Sequence, residues 1–436
     1  MLLRVLIAGR QIFSIFVADM DGYSWLKMKK MFLRYIAWMF LFGPMMKFNL
    51  LFCTMLLTGL FCFGQPTAKQ WNSEITAGWN LGNQLECSTS RENGRLMEIG
   101  LPDNSINAET AWGNPKVTRK TIKAIKKAGF NAVRIPVRWQ CHITDAHAMS
   151  IDKAWLKRVK EVVNWCLEND LKVMINTHHD QWLEGRPLYR YQQENCQKLA
   201  LLWFNIASEF ADYDYRVAFA GTNEVHEPDN WGKPTAENLE VQNAYNQTFI
   251  DVVRATGGNN AKRHLIVQTY VCNPEFGLND GGFIIPTDIE GNGNDYMSVE
   301  FHYYVPWEYA GDGIFYYWGK RYSQYGETPS SDEQAMLNLF DRAKAAWSDK
   351  GLGVIIGEWG LTDHFKDGQA DRMHENMTYY CRLLVGEARK RGFSTFVWDN
   401  NRFGNGADMF GILDRNHSMK VKAPWMIEGI MEGAKL

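Results

Sequence analysis

Several common signatures of function are missing from this sequence of 436 residues. The net charge is −2, and no long block of Lys and Arg or of Asp and Glu occurs, which argues against nucleic acid and anionic membrane surfaces as partners. The eight cysteines form no Cys-x-x-Cys pair or other metal-ligand spacing. We therefore expect no metal and no cofactor. There is also no low-complexity linker that would separate two domains.

The first 65 residues are predicted to lie outside the folded domain. Met46-Lys47 precede an apolar run over residues 48–63, which ends at Gly64-Gln65. A basic start, an apolar centre and a small residue are typical of a secretory signal peptide, and the run is short for a membrane span. We interpret residues 1–65 as a leader, formed by a mis-assigned start and a signal peptide at 46–64, with a membrane anchor as the alternative. The mature chain, 66–436, would be secreted, periplasmic or at the cell surface.

From residue 70 onward, apolar strand-like runs alternate with segments of helical periodicity. The predicted strands are residues 75–81, 132–137, 172–177, 217–222, 264–270, 297–304, 353–358 and 394–399. The predicted helices are residues 117–128, 152–168, 193–210, 237–255, 332–348, 372–390 and 423–433, and only the crossover at 273–295 is predicted as loop. This alternation predicts a parallel sheet. Eight repeats, with no Gly-x-Gly-x-x-Gly after the first strand, favour a single-domain (β/α)8 TIM barrel over an open doubly wound sheet.

Two of the predicted strands lead to a glutamate: strand 217–222 is followed by Asn223-Glu224, and strand 353–358 ends at Gly357-Glu358. For one isolated glutamate a structural salt bridge is the commoner interpretation. Two carboxylates at the carboxyl ends of barrel strands are, however, what hydrolysis of a glycosidic bond requires. One acid protonates the leaving oxygen, and one carboxylate attacks the anomeric carbon or activates water.

The other strand ends carry polar and aromatic residues that would surround the two glutamates. They are Asn80, Arg134, His178, His179, His302, Tyr304 and Trp398. Arg134 lies within an apolar strand and needs a carboxylate partner, because an unpaired buried guanidinium is costly. His178-His179-Asp180 could instead belong to a metal site, but no His-x-His lies on the first strand and no other strand residues complete a tetrahedral shell. A catalytic metal is therefore not expected.

Taken together, these stretches resemble glycoside hydrolase family 5, the large cellulase family of retaining β-glycanases. The resemblance extends from about residue 75 to residue 425, nearly the whole mature chain. The matching stretches are Gly78-Trp79-Asn80-Leu81-Gly82-Asn83, Glu109-Thr110-Ala111-Trp112-Gly113-Asn114-Pro115, Val133-Arg134-Ile135-Pro136-Val137, Asn176-Thr177-His178-His179, Asn223-Glu224, His302-Tyr303-Tyr304 with Pro306-Trp307, Ile356-Gly357-Glu358-Trp359-Gly360, and Trp398-Asp399-Asn400. The family usually places Pro soon after Asn-Glu, whereas here Val225-His226-Glu227 precede Pro228.

The resemblance implies a role for each of these residues. Glu224 would be the acid/base and Glu358 the nucleophile. Arg134 and Tyr304 would contact the nucleophile and keep it ionised, and His302 would lie near the acid/base. Asn223 would bind the 2-hydroxyl of the sugar at the cleavage point, His178 would bind the same sugar, and Trp398 would form its floor. Arg134 is expected to lower the pKa of Glu358, while Glu224, less compensated, stays protonated.

The resemblance also implies a substrate class. We expect an endo-acting β-1,4-glucanase, monomeric, with a β-glucan polysaccharide as its partner. A xyloglucan- or mixed-linkage-glucan-specific endoglucanase and a β-mannanase of the same fold are the near alternatives. A metal-dependent barrel hydrolase using His178, His179 and Asp180, and a sugar-binding protein without catalysis, are the more distant ones.

Overall fold

Eight parallel strands close into a barrel in the computed structural model, which describes residues 65–88, 106–279 and 281–436. The barrel strands are β1 (Gly78–Leu81), β2 (Ala132–Ile135), β5 (Lys172–Asn176), β6 (Val217–Ala220), β7 (Leu265–Gln268), β8 (Met297–His302), β9 (Gly353–Trp359) and β10 (Phe393–Asp399). They pair in chain order, and β10 closes the barrel against β1. The predicted (β/α)8 fold is confirmed. The predictions for residues 1–64 fall outside the described residues.

Two small antiparallel hairpins lie beside the barrel. They are β3 (Ile143–Asp145) with β4 (Ser150–Ile151), and β11 (Leu413–Asp414) with β12 (Lys420–Val421).

All seven predicted helices are present, with ends that differ by a few residues. The helices are α1 (Ala68–Ser73), α2 (Arg119–Lys127), α3 (Lys153–Glu168), α4 (Gln181–Glu184), α5 (Tyr189–Glu209), α6 (Ala236–Ala255), α7 (Pro274–Leu278), α8 (Trp307–Ala310), α9 (Glu333–Ala346), α10 (Ala370–Lys390) and α11 (Pro424–Gly433). Thr118 and Thr235 cap α2 and α6 through reciprocal hydrogen bonds with the third helical residue, which fixes where these helices begin. Sequence reasoning missed the short α1, α4, α7 and α8, because four to six residues show no helical period. The crossover at 273–295 is therefore not entirely loop. None of the helices in the described ranges is both long and apolar enough to cross a membrane.

The two faces of the barrel strands build two separate cores. Outward side chains such as Val133 and Val299 pack against the helices in one large apolar cluster. Inward side chains form a smaller cluster in the lower barrel, which includes Met174, Ile355 and Phe396. Trp71 of α1 belongs to the inner cluster, and α1 contacts β8, β9 and β10 near their amino ends. The lower barrel is thus filled largely by apolar side chains.

Candidate active site

A bulge in β9 determines where Glu358 points. Phe301 and His302 are consecutive on β8, but they pair with Ile356 and Glu358, so Gly357 is an extra residue on β9. A bulge of this kind shifts the alternation of side chains and re-aims the residue that follows it. Without it, Glu358 would share the outward face of Val354 and Ile356. Its side chain instead enters the barrel mouth and is 7% exposed.

Arg134 on β2 is the central cation of the site. Its Nη1 lies 2.7 Å from Glu358 Oε1, and its Nη2 donates to Asn223 Oδ1 at 2.8 Å. Asn80 on β1 supports this arrangement: its Oδ1 accepts from Arg134 Nη1 at 3.1 Å, and its Nδ2 donates to the carbonyl of Gly357 at 2.9 Å. The contact between Arg134 and Glu358 is the one expected from the sequence. Asn80 therefore forms hydrogen bonds both with the Arg134 guanidinium and with the β9 bulge.

Glu300 is a third buried carboxylate, which sequence reasoning overlooked. It lies on β8, two residues before His302, and Arg134 Nε is 3.0 Å from its Oε1. Gln268 on β7 donates to Oε2 at 2.7 Å. The signal was available, because residues two apart on a strand share a face, and His302 was already expected to point inward. Arg134 therefore serves two carboxylates rather than one.

His302 connects the two glutamates at the strand ends. Its Nδ1 lies 2.6 Å from Glu224 Oε1, and its Nε2 lies 3.7 Å from Glu358 Oε1. Carboxylate oxygens of Glu224 and Glu358 come within 4.8 Å of each other. The Tyr304 hydroxyl donates to Glu358 Oε2 at 3.3 Å. Glu224 is the more accessible glutamate, with 23% of its side chain exposed.

Arg134 lowers the pKa of Glu358, as expected, but the pKa still ends above its ordinary value. Burial raises the pKa of Glu358, and His302 and Arg134 offset this only in part. Burial also raises the pKa of Glu300, but Arg134 and His302 outweigh it, and the pKa of Glu300 ends below its ordinary value. The net rise at Glu358 comes from burial, and the neighbouring carboxylates Glu224 and Glu300 add to it.

His178 and Trp398 form one wall of the site. Their rings are stacked, with centroids 5.9 Å apart and planes 10° from parallel. Burial lowers the pKa of His178 well below its usual value, so its imidazole is neutral. His178 Nδ1 lies 3.1 Å from Asn176 Nδ2, so Nδ1 accepts that bond and Nε2 carries the proton. His179 points elsewhere: its ring lies 5.8 Å from that of Trp112.

The metal site considered for His178, His179 and Asp180 is not assembled. Asp180 is buried, and its Oδ1 accepts the backbone N–H groups of Trp139 and Gln140. Within residues 65–88, 106–279 and 281–436, these three residues do not form a group with closely spaced ligand atoms. Asp180 instead fixes the turn after β2.

The loop after Glu224, which departs from the family pattern, is held by several contacts. His226 donates its backbone N–H to the Glu184 carbonyl at 2.9 Å, and Val225 is fully buried and accepts from the backbone N–H of Val271 at 3.1 Å. The His226 ring packs against Trp231, with centroids 3.9 Å apart. The insertion is therefore an ordered part of the barrel mouth.

A (β/α)8 barrel with two close glutamates at the carboxyl ends of its strands has the fold and the site of a glycoside hydrolase. A family model described as cellulase (glycosyl hydrolase family 5) matches residues 93–404. This match covers more than half of the chain, and the chain belongs to glycosyl hydrolase family 5. It is a glycoside hydrolase.

Similar proteins come from several bacteria. The cellulase/esterase CelE of Acetivibrio thermocellus is 36% identical over 83% of this chain, which spans 40% of the length of CelE. The structure of a broad specificity endoglucanase from Clostridium acetobutylicum is 33% identical, with a TM-score of 0.70 over 84% of this chain and 99% of that one. A Bacteroides ovatus xyloglucanase, solved with a heptasaccharide, is 30% identical, with a TM-score of 0.74 over 86% of this chain and 78% of that one.

Proposed function

We propose that this protein is an endo-acting β-1,4-glucanase that hydrolyses β-glucan chains with retention of anomeric configuration. The observation that carries the proposal is the separation of at most 4.8 Å between oxygens of Glu224 and Glu358. Retaining enzymes hold their carboxyl groups about 5 to 5.5 Å apart, whereas inverting enzymes need about 6.5 to 9.5 Å to admit a water molecule. Oxygens this close favour the narrower, retaining arrangement.

The surroundings of each glutamate support a distinct role. Glu358 contacts Arg134 and Tyr304, which orient it for attack on the anomeric carbon and stabilise its anion. Glu224 is more exposed and contacts His302, a group that can exchange a proton with it. Glu358 would therefore form the glycosyl-enzyme intermediate. Glu224 would protonate the leaving oxygen and then activate water.

Asn223, His178 and Trp398 would hold the sugar at the cleavage point. Asn223 Oδ1 is occupied by Arg134, which leaves its amide N–H groups for a sugar hydroxyl. His178 is stacked on Trp398 and offers an N–H donor beside the indole face. Flat indoles suit the apolar faces of pyranose rings. This set would bind one glucosyl unit across the two glutamates.

Exposed tryptophans extend the site into a path for a polymer. Trp112, Trp231 and Trp307 are 42%, 59% and 49% exposed. Each lies beside a residue of the barrel mouth: Trp112 beside His179, Trp231 beside His226 and Trp307 beside Tyr304. Several separate aromatic platforms around a cleavage point are suited to binding several units of a chain, and this favours endo action.

A substrate panel tests the proposal. Reducing ends would be measured on carboxymethyl cellulose, barley glucan, xyloglucan and mannan, together with viscosity, for the wild type and for Glu358→Gln. We expect release from the β-1,4-glucans, with viscosity falling early, and a loss of several orders of magnitude in the variant. Release from mannan alone would replace the proposed substrate with the β-mannanase alternative. A variant that keeps more than about a tenth of the rate would exclude Glu358 as the nucleophile.

We further propose that the enzyme is exported. Two observations support this proposal. Residues 46–64 have the pattern of a signal peptide, and the proposed substrate, a β-glucan polymer, lies outside the cell. N-terminal sequencing of the secreted product should find a start near Gln65 or Pro66. A soluble product that retains residues 1–45 would contradict this proposal.

A further inference from the structure

Glu300 lies at a point where the two halves of the catalytic machinery meet. Its Oε1 is 3.0 Å from Arg134 Nε and 3.5 Å from His302 Nε2. Arg134 in turn contacts Glu358, and His302 contacts Glu224. One carboxylate oxygen is therefore adjacent to the cation that supports the nucleophile and to the imidazole that supports the acid/base.

The three polar atoms that meet here stabilise one another by charge rather than by hydrogen bonds. Arg134 Nε, Glu300 Oε1 and His302 Nε2 are buried, and within the part of the chain that the structure describes none of them forms a well-directed hydrogen bond. Buried polar atoms without hydrogen bonds are costly, so their electrostatic attraction must compensate. Both the Arg134 and Glu300 side chains are 0% exposed, and water does not screen their interaction.

The backbone is also adapted to this carboxylate. A Cβ atom added to Gly357 would come within 1.7 Å of Glu300 Oε1. Glycine at the β9 bulge thus leaves the volume that the Glu300 carboxylate fills. The bulge that aims Glu358 and the space for Glu300 are the same structural feature.

We propose that Glu300 is a positioning residue that acts through Arg134 and His302 to set the pH range over which the two catalytic glutamates work together. The proposal rests on the assigned roles of Glu224 and Glu358. As an anion, Glu300 interacts with Arg134 and so weakens the stabilisation that Arg134 gives to the Glu358 anion. The same negative charge keeps the His302 imidazole protonated. It also fixes the ring so that Nδ1 faces Glu224 while Nε2–H faces the carboxylates.

Other charged and titratable groups face the same point. They are Arg134 on β2, His178 after β5, Glu224 after β6, Cys272 after β7, Tyr304 after β8 and Glu358 on β9. Burial lowers the pKa of His302, but the anions Glu358 and Glu224 raise it. Burial raises the pKa of Cys272 to about 12, so the thiol is neutral in the working range. The carboxylates therefore hold the proton on His302.

The sign of the effect follows from removing the Glu300 charge. In Glu300→Gln, Arg134 would act on Glu358 alone, and Glu358 would ionise at lower pH. His302 would lose an anionic neighbour, and its proton would leave at lower pH. Both limbs of the kcat/KM profile against pH should therefore move in the acid direction, by about 0.5 to 1 pH unit.

The test compares three variants with the wild type on a soluble β-glucan. Glu300→Asp keeps the charge, and its limbs should stay in place even if its rate falls. Asp288→Asn removes a carboxylate from another buried ion pair, with Arg254 at 2.8 Å and both side chains 0% exposed, and it should lower thermal stability without moving either limb. If the two limbs of the pH profile of Glu300→Gln stay at the wild-type positions, Glu300 has only a structural role and the proposal is overturned.

A second readout does not depend on activity. The ¹⁵N signals of His302, assigned by their loss in His302→Asn, should titrate at lower pH in Glu300→Gln than in the wild type. An unchanged titration would overturn the proposal. A wild type that turns over no β-glucan would contradict the proposed function alone, since the His302 titration would still report on Glu300.

Discussion

The two glutamates proposed as catalytic residues have different environments, and this difference allows their roles to be tested separately. Glu358 is 7% exposed and lies against a guanidinium, whereas Glu224 is 23% exposed and lies against an imidazole. Burial raises the pKa of Glu358 above its ordinary value. Since the nucleophile must be ionised, activity should be lost on acidification at a pH higher than an unperturbed glutamate would give.

Glu224→Ala should affect only the steps that need proton transfer. We expect slow turnover of polysaccharide but continued glycosylation by an activated aryl cellobioside, whose phenol leaves without acid help. The second step should stall, and added azide should rescue it as the β-glycosyl azide. Proton NMR of the product gives the anomeric configuration. An α-azide from this variant would mean that the acid/base and the nucleophile are reversed.

Sequence reasoning located the residues of this site more easily than their charge states. Arg134, His302 and Tyr304 could be placed because each lies at or near the end of an apolar run in a recognisable motif. The pKa of Glu358 could not, because it depends on how deeply the carboxylate is buried and on charges that reach it from other strands. Burial and these distances arise from packing across the barrel, which no local pattern encodes.

At the scale of the element, the bulge in β9 is the feature that the sequence pattern conceals. Strict alternation of side chains would turn Glu358 outward with Val354 and Ile356. The extra residue at Gly357 reverses this, and Asn80 stabilises the bulge by donating to the Gly357 carbonyl. Strand ends could be predicted to within a few residues, but a one-residue irregularity has no periodic signal.

Gly357→Ala should damage both stability and catalysis. The added methyl group would displace the buried Glu300 carboxylate, at a cost of about 1 to 3 kcal/mol, as for other overpacked cores. A shift of Glu358 by even 1 Å would lower kcat by about 10- to 100-fold. Thermal unfolding and kcat on barley glucan measure the two effects. Gly232→Ala, in an exposed loop, is the stability control, and a Gly357→Ala protein equal to it in both measurements would show that the bulge tolerates a side chain.

At the scale of the whole molecule, the residues that stabilise the barrel core and the polar residues of the candidate site lie at opposite ends of the barrel axis. The lower end is closed by α1, whose Trp71 is fully buried in the inner apolar cluster. Its ring lies 4.6 Å from that of His264 and 5.3 Å from Lys172 Nζ, and its Nε1 donates to the Tyr215 carbonyl at 2.9 Å. The residues proposed for catalysis lie at the opposite ends of the strands.

Trp71→Ala should therefore destabilise the enzyme without changing the reaction. Truncation of a buried tryptophan costs about 3 to 5 kcal/mol, a large part of a typical stability of about 5 to 15 kcal/mol. Denaturant unfolding should show this loss, while kcat at 25 °C on folded protein stays near the wild-type value. Phe204→Ala, at a position 52% exposed on α5, should change stability by less than about 0.5 kcal/mol. Wild-type stability in Trp71→Ala would show that α1 is not part of the core.

The barrel as a whole was predictable because its signal is repeated eight times along the chain. Missing one strand end or one helix start does not alter the count, whereas α1 occurs once and has only six residues. Because the strand–helix pattern is repeated, the fold could be identified from the sequence. The helix that closes the lower end occurs only once and could not.

Covalent trapping tests the assignment of Glu358 as nucleophile most directly. Wild-type enzyme would be incubated with a 2-deoxy-2-fluoro-β-cellobioside bearing an activated phenol, which slows hydrolysis of the intermediate more than its formation. Intact-protein mass spectrometry should show the addition of one fluorocellobiosyl group, and peptide mapping should place it on Glu358. A label on Glu224, or hydrolysis of β-glucan with inversion and no covalent adduct, would contradict the double-displacement mechanism proposed for this enzyme.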